Sequence, residues 1–243
     1  MLRRRLASRP GLPQIVKATL GDLTSKRVLH LQSGAGDASA DLAEQGAVVT
    51  AVDPSEAMLD AAREEWPKIL WIQAEAQSLP GELRRGRFDL VYSPEGVIQR
   101  LTDPDAWAQG IASALQPRGE LLVYDDHPVA LCLNGLQHWQ YDYFEEGFWR
   151  LGRIVTSIVR AGFRVEALEE YPGERRVPGT SLLYARRDLG EAAPAAADLQ
   201  DALALSCAEL GQRALVLRGL RRLERARFAG VERGRVAHRR IEP

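Results

Sequence analysis

Gly34 and Gly36 stand in the run Gln32-Ser33-Gly34-Ala35-Gly36-Asp37, which directly follows a strand-like apolar stretch at residues 27–31. A residue without a Cβ lets backbone N–H groups approach a bound molecule closely. Asp53 ends a second apolar stretch, residues 48–52, and lies 19 residues beyond Gly34. At that spacing a carboxylate can accept both hydroxyls of a ribose. A third stretch, residues 70–72, runs into Gln73-Ala74-Glu75-Ala76, whose carboxylate suits an adenine amino group. Two glycines alone are usually a turn. Glycines and an acid at two successive strand ends are a more specific pattern, and the chemistry they suggest is the binding of a nucleoside.

A second group follows later strands. Tyr92, Ser93 and Glu95 lie just past the apolar run 88–92, although Ser93-Pro94-Glu95-Gly96 also has plain turn composition. His127, in Tyr124-Asp125-Asp126-His127-Pro128, is the best-placed general base, because imidazole titrates near neutrality. A lone histidine is more often structural, so both roles stand open. Residues 139–149 hold Trp139, Tyr141, Tyr143, Phe144, Phe148 and Trp149, six of the sixteen aromatics of the chain. Such a segment suits either a lid over an organic substrate, with Glu95, Trp139, Tyr141 and Tyr143 as contacts, or a small satellite core.

These residues need a scaffold, and the periodicity supplies one. Short β-branched runs at 27–31, 48–52, 70–72, 88–92 and 121–124 alternate with helical stretches at 39–45, 55–66 and 104–115. Ser55 is a suitable N-cap and Gly46 a suitable helix stop. Alternation of this kind predicts an α/β, doubly wound, mostly parallel sheet of seven strands. The last two strands, 163–168 and 181–185, are separated only by a Pro/Gly-rich connection with no helix, which predicts an antiparallel return at the sheet edge. In such a sheet ligands bind beyond the carboxyl ends of the strands.

Five segments, in order, resemble class I S-adenosylmethionine-dependent methyltransferases. They are Val28-Leu29-His30-Leu31-Gln32-Ser33-Gly34-Ala35-Gly36, Ala51-Val52-Asp53-Pro54-Ser55, Glu75-Ala76-Gln77-Ser78-Leu79-Pro80, Phe88-Asp89-Leu90-Val91-Tyr92-Ser93 and Leu115-Gln116-Pro117-Arg118-Gly119-Glu120-Leu121-Leu122. The resemblance implies S-adenosylmethionine as cofactor and a small-molecule acceptor. It implies that Gly34 and Gly36 line the methionine part, with His30, Gln32 and Ser93 nearby. Asp53 would take the ribose, Pro54 and Met58 would flank adenine, and Glu75 with Ala76 would read its edge. The family usually has an acid where His30 stands and a glycine where Gln32 stands. These two departures keep a second reading in view, a methyltransferase fold used as a non-catalytic binding module. An NAD(P)-dependent oxidoreductase is a weaker alternative, since its fingerprint wants a small Gly or Ala where this chain has Ser39.

Composition bounds the rest. Hydrophobic residues make up 45% and charged residues 27%, values of an ordinary globular core. The net charge of −1 hides an uneven spread: residues 211–243 hold ten Arg against three Glu, while residues 11–210 are acidic overall. An acidic body weighs against nucleic acid as a partner. Two cysteines without CxxC spacing predict neither a disulfide framework nor a metal site, and make a cytoplasmic location the default. No long apolar run predicts a membrane span. The expected organisation is an N-terminal segment over 1–26, a catalytic domain over 27–187 with an aromatic lid insertion at about 129–151, a linker over 188–198, and a basic helical C-terminal extension over 199–243. Leu203, Cys207, Leu210, Ala214 and Leu217 give that extension one apolar stripe, which offers a docking or homodimer contact.

Overall fold

A computed structural model describes residues 11–133, 138–173 and 177–188. The linker, the C-terminal extension and the dimer contact expected of it lie outside the described residues. Strands β1 (Arg27–His30), β2 (Val48–Asp53), β3 (Leu70–Gln73), β4 (Phe88–Ser93), β5 (Leu115–Asp126), β6 (Phe163–Pro172) and β7 (Pro178–Arg187) form one sheet of order β3-β2-β1-β4-β5-β7-β6. The first five are mutually parallel, and β7 runs antiparallel to both β5 and β6. The order reverses between β1 and β4, which makes that junction the switch point where a ligand cleft opens.

The helices cover both faces. Helices α1 (Gln14–Leu20), α2 (Asp37–Glu44) and α3 (Glu56–Glu65) pack Val16, Leu20, Leu42 and Leu59 against Val28, Ala51, Leu90 and Leu122. On the other face α4 (Pro104–Ala114) and α6 (Leu151–Arg160) bring Trp107, Ile111, Ile154 and Ile158 onto Leu29, Val91, Leu121 and Leu183. Alternate residues of each central strand thus serve opposite cores, as a sheet covered on both sides requires. Ser55 caps α3 by accepting the Met58 N–H, and Asp103 caps α4 by accepting from Asp105 and Ala106.

The antiparallel final strand expected from the sequence is present at that end of the sheet, with β7 inserted between β5 and β6 so that β6 takes the edge. At the mouth of that hairpin Gly173 and Gly179 lie so close that a Cβ on either would sit 2.6–2.8 Å from the other's Cα. Helix α1 was not expected. It is fixed by Val16 and Leu20, by the Lys17–Asp41 ion pair at 2.9 Å, and by the Leu12 N–H donated to Asp41. None of the described helices is long and apolar enough to cross a membrane.

Candidate functional site

The carboxyl ends of β1, β2, β3 and β4 lie side by side, and the residues singled out in the sequence fall on them. Asp53, the last residue of β2, is buried. Its Oδ2 accepts the Gly34 N–H at 2.8 Å and its Oδ1 the Ser55 N–H at 2.9 Å. One carboxylate therefore ties the loop after β1 to the turn after β2. Pro54 and Met58 follow on that turn and on α3. Met58 reaches back over the loop, with its Cε 3.7 Å from where a Gly34 Cβ would be. On the neighbouring β3, Gln73 donates from Nε2 to the Pro54 carbonyl at 3.1 Å. Beyond it Glu75 is exposed and Ala76 buried.

The glycines' own amides are bonded within the chain. Gly34 N–H goes to Asp53, and Gly36 N–H goes to the Ser33 carbonyl at 3.1 Å, so neither amide is free for a ligand. Gly36 is needed for packing. Its φ is +100°, and an added Cβ would meet Trp71 Cη2 at 2.6 Å and Trp66 Cδ1 at 3.0 Å. The amides left over are those of Ala35 and the first turn of α2, where a helix has no internal acceptors to offer. Gln32, at the position where glycine was expected, adopts φ +42°, a left-handed conformation that a glycine would adopt at lower cost.

His30 is 1% exposed and stacks on Tyr92 at 5.1 Å, with its Nδ1 2.7 Å from Ser39 Oγ. Burial pushes the imidazole down to about 3, so the ring is neutral throughout the physiological range. Burial also raises the Tyr92 phenol, helped by Glu95, Tyr124 and Asp125; the phenol stays protonated, a donor and not a base. Five buried side-chain polar atoms have no hydrogen-bond partner among the described residues. Four of them, His30 Nε2, Ser33 Oγ, Trp66 Nε1 and Ser93 Oγ, belong to residues around the glycine loop and the adjoining ends of β1 and β4. Unpaired buried polar atoms are rare and costly, and their gathering here is what a site for a polar ligand would leave.

His127 does not fit the role of general base. Its Nδ1 accepts the Val129 N–H at 3.2 Å, capping helix α5 (Pro128–Leu131), and its Nε2 lies 2.7 Å from Glu170 Oε1 on β6. With Nδ1 accepting, the proton sits on Nε2 and points at the carboxylate, so both nitrogens are committed. His127→Ala is expected to lower stability by about 1 kcal/mol, as lost N-caps do, without changing ligand affinity. Urea denaturation and calorimetric titration would check both halves.

The residue missed from sequence is Asp125. Only 3% exposed, it accepts Gly96 N–H on Oδ1 at 2.6 Å, and Val97 and Ile98 N–H on Oδ2 at 3.2 and 2.9 Å; the Asp126 N–H adds 2.8 Å on Oδ1. It thereby holds the loop after β4, which begins beyond Ser93 and carries the exposed Glu95, against the end of β5. The only signal in the sequence is a carboxylate at a strand end.

The aromatic segment forms an open wall. Trp139, Tyr141 and Phe144 are largely exposed and, with Tyr143 and Asp142, line a shallow cavity of about 450 Å³. Trp149 anchors the segment's end near β4: its Nε1 donates to the Leu101 carbonyl, while its backbone exchanges hydrogen bonds with Gln99 at 2.8 and 3.2 Å. Tyr143 packs edge-on against Phe144 and Phe148, which makes the wall partly a satellite cluster.

Comparison with known proteins shows what the chain is similar to. Residues 28–119 match the model of a methyltransferase domain. The chain is 30% identical over 159 residues to a demethylmenaquinone methyltransferase of Clavibacter sepedonicus, which covers 63% of this chain and 62% of that protein. It is 32% identical over 103 residues to a ubiquinone biosynthesis O-methyltransferase of Aromatoleum aromaticum, covering 41% and 43%. A bifunctional biotin biosynthesis protein of Cellvibrio japonicus is 34% identical over 119 residues, only 23% of its length. The chain thus spans less than two thirds of these curated relatives. Among solved structures, an S-adenosylmethionine-dependent methyltransferase from Mesorhizobium loti superimposes with a TM-score of 0.61 at 24% identity, over 70% of this chain and 95% of that one.

Proposed function

We propose that the chain is a class I S-adenosylmethionine-dependent methyltransferase that transfers a methyl group from S-adenosylmethionine to a small organic acceptor. The observation that carries the proposal is the buried Asp53 at the end of β2, beside a glycine loop whose surroundings hold four unpaired polar atoms. S-adenosylmethionine, when bound, supplies a methyl group on a sulfonium, ready for displacement by a nucleophile. Asp53 takes the ribose hydroxyls with the lone pairs left after Gly34 and Ser55. Pro54 and Met58 flank the adenine, and Glu75 with Ala76 reads its edge. Ser93, at the end of β4, and Glu95, on the loop that Asp125 holds, sit toward the acceptor.

Because His127 is committed and Tyr92 stays protonated, the chain's main contribution is alignment and exclusion of water. The acceptor lies against Trp139, Tyr141 and Tyr143, a wall suited to a flat apolar molecule; two of the relatives named above are a demethylmenaquinone methyltransferase and a ubiquinone biosynthesis O-methyltransferase, names that fit a flat acceptor, while a third belongs to biotin biosynthesis.

Isothermal titration with S-adenosylhomocysteine tests the proposal. Binding is expected; an absence of heat, with NADH binding in its place, would overturn it. Replacing Tyr141 and Tyr143 together by Ala is expected to leave that affinity unchanged and to reduce turnover of a quinol acceptor. A loss of S-adenosylhomocysteine binding in this double variant would remove the wall from the acceptor side.

A further inference from the structure

The base of the aromatic segment is fastened to the loop after β4 by the side chain of Gln99. This residue lies in the helical turn Ile98–Arg100, and its carboxamide meets the backbone of Trp149, 50 residues later. Its Nε2 donates to the Trp149 carbonyl at 2.8 Å and its Oε1 accepts the Trp149 N–H at 3.2 Å. A carboxamide that gives to and takes from one residue's backbone acts as a neighbouring strand would, fixing orientation as well as distance. The Leu101 carbonyl completes the clasp by accepting the Trp149 indole N–H.

The two sides of this clasp are held very differently. On the side of Gln99, the Asp125 carboxylate grips the Gly96, Val97 and Ile98 amides, and the Leu101 N–H returns to the Ile98 carbonyl at 3.2 Å. Val97, Ile98 and Leu101 are buried. This loop leaves β4 beside β1, at the switch point where the ligand cleft opens. On the side of Trp149, the chain leads back to the exposed wall. From Asp142 to Phe148 the hydrogen bonds and ring contacts among the described residues stay within residues 142–150. At the far end the Gln140 N–H ties back to the Cys132 carbonyl at 2.8 Å. A segment with so few long-range contacts takes its position from its fastenings.

We infer that Gln99 is a positioning residue for methyl transfer: it couples the aromatic wall to the loop after β4, so that occupation of the cofactor cleft sets the wall in place for the acceptor. The inference rests on the S-adenosylmethionine reading and adds an order to it, cofactor before acceptor. Linkage makes the coupling reciprocal, so an acceptor seated on the wall tightens the cofactor by the same factor.

Amide hydrogen exchange on the full chain, read by mass spectrometry with and without S-adenosylhomocysteine, tests this without an acceptor. In the unmodified protein the ligand is expected to slow exchange in residues 94–101 and also in residues 139–148, the latter by about fivefold or more, the lower end for coupled sites. Gln99→Ala should bind S-adenosylhomocysteine with nearly unchanged affinity and still protect 94–101, while the protection of 139–148 disappears. Gln99→Met, which keeps the length of the side chain and loses both hydrogen bonds, should do the same. A merely structural Gln99 gives another result: both variants speed exchange of the wall by the same factor with and without ligand. That result would overturn the inference. So would ligand protection that stops at residue 101 in the unmodified protein, or protection of the wall that survives both substitutions. All three leave the cofactor assignment standing. If the unmodified protein does not bind S-adenosylhomocysteine in calorimetry, that assignment falls and this inference with it.

Discussion

Asp53→Ala is expected to weaken S-adenosylhomocysteine binding by about 10- to 100-fold and also to lower the stability of the folded chain by about 1–3 kcal/mol. The two effects have separate origins. The affinity loss follows from removing a charged acceptor for ribose hydroxyls, whose hydrogen bonds are stronger than neutral ones. The stability loss follows from what the structure adds: the Gly34 and Ser55 amides, both bonded to this carboxylate, lose their acceptor in a part-buried setting. Asp53→Asn separates the two, because one amide oxygen can retain one backbone bond while the charge is gone. Titration and chemical denaturation on both variants would check the result. Unchanged affinity in folded Asp53→Ala would take Asp53 out of the ligand site.

A larger stability effect is expected at Asp125. Asp125→Ala removes the acceptor for the Gly96, Val97 and Ile98 amides at once, and a loss of about 3–5 kcal/mol should follow, comparable to breaking a buried charged pair. Asp125 also has a pH signature. Desolvation raises its pKa above the ordinary value of 3.8, against the lowering effect of the backbone N–H groups. A carboxyl that holds its proton more tightly when folded makes the folded state bind more protons than the unfolded one in the window above 3.8. Stability from this group is therefore greatest at acid pH and declines as pH rises through its folded pKa. The Asn variant should lack that decline while turning an N–H group toward the loop amides. Denaturation curves from pH 4 to 7 on the wild type and Asp125→Asn would show it. Parallel pH dependence in the two proteins would contradict the assignment.

The contrast between these two acids shows what the sequence could reveal. Asp53 stands at a fixed distance from a glycine loop, at the end of a β-branched run, and both cues are local. Ser55, the cap of α3, was legible for the same reason. Asp125 looks like any acid after a strand, because its partners lie 27–29 residues earlier. The same blindness affected His127: its reach to Glu170 depends on β6 lying two strands from β5, a fact of topology that spacing does not encode. The glycines were legible as a loop, but the packing need at Gly36 was not, since the Trp71 ring against it comes from a different strand. Helix α1 had a local signal, Leu12, Val16 and Leu20 at intervals of four, but it is short and lacks a side-chain cap.

The place of β7 between β5 and β6 also bears on how the chain is made. On a ribosome β1 to β5 emerge first and can associate in turn, because each new strand finds its neighbour already present. β5 then waits with the hydrogen-bonding groups of residues 120–126 unsatisfied until Pro178–Arg187 has left the exit tunnel. During that interval the nascent protein carries an open sheet edge, the feature through which unfinished chains pair with one another. β6, made earlier, cannot fill the gap, because its partner in the sheet is β7. The right half of the sheet is therefore expected to close in one late step, when the β6–β7 hairpin docks as a unit, and holdase chaperones would find their target along β5 until it does.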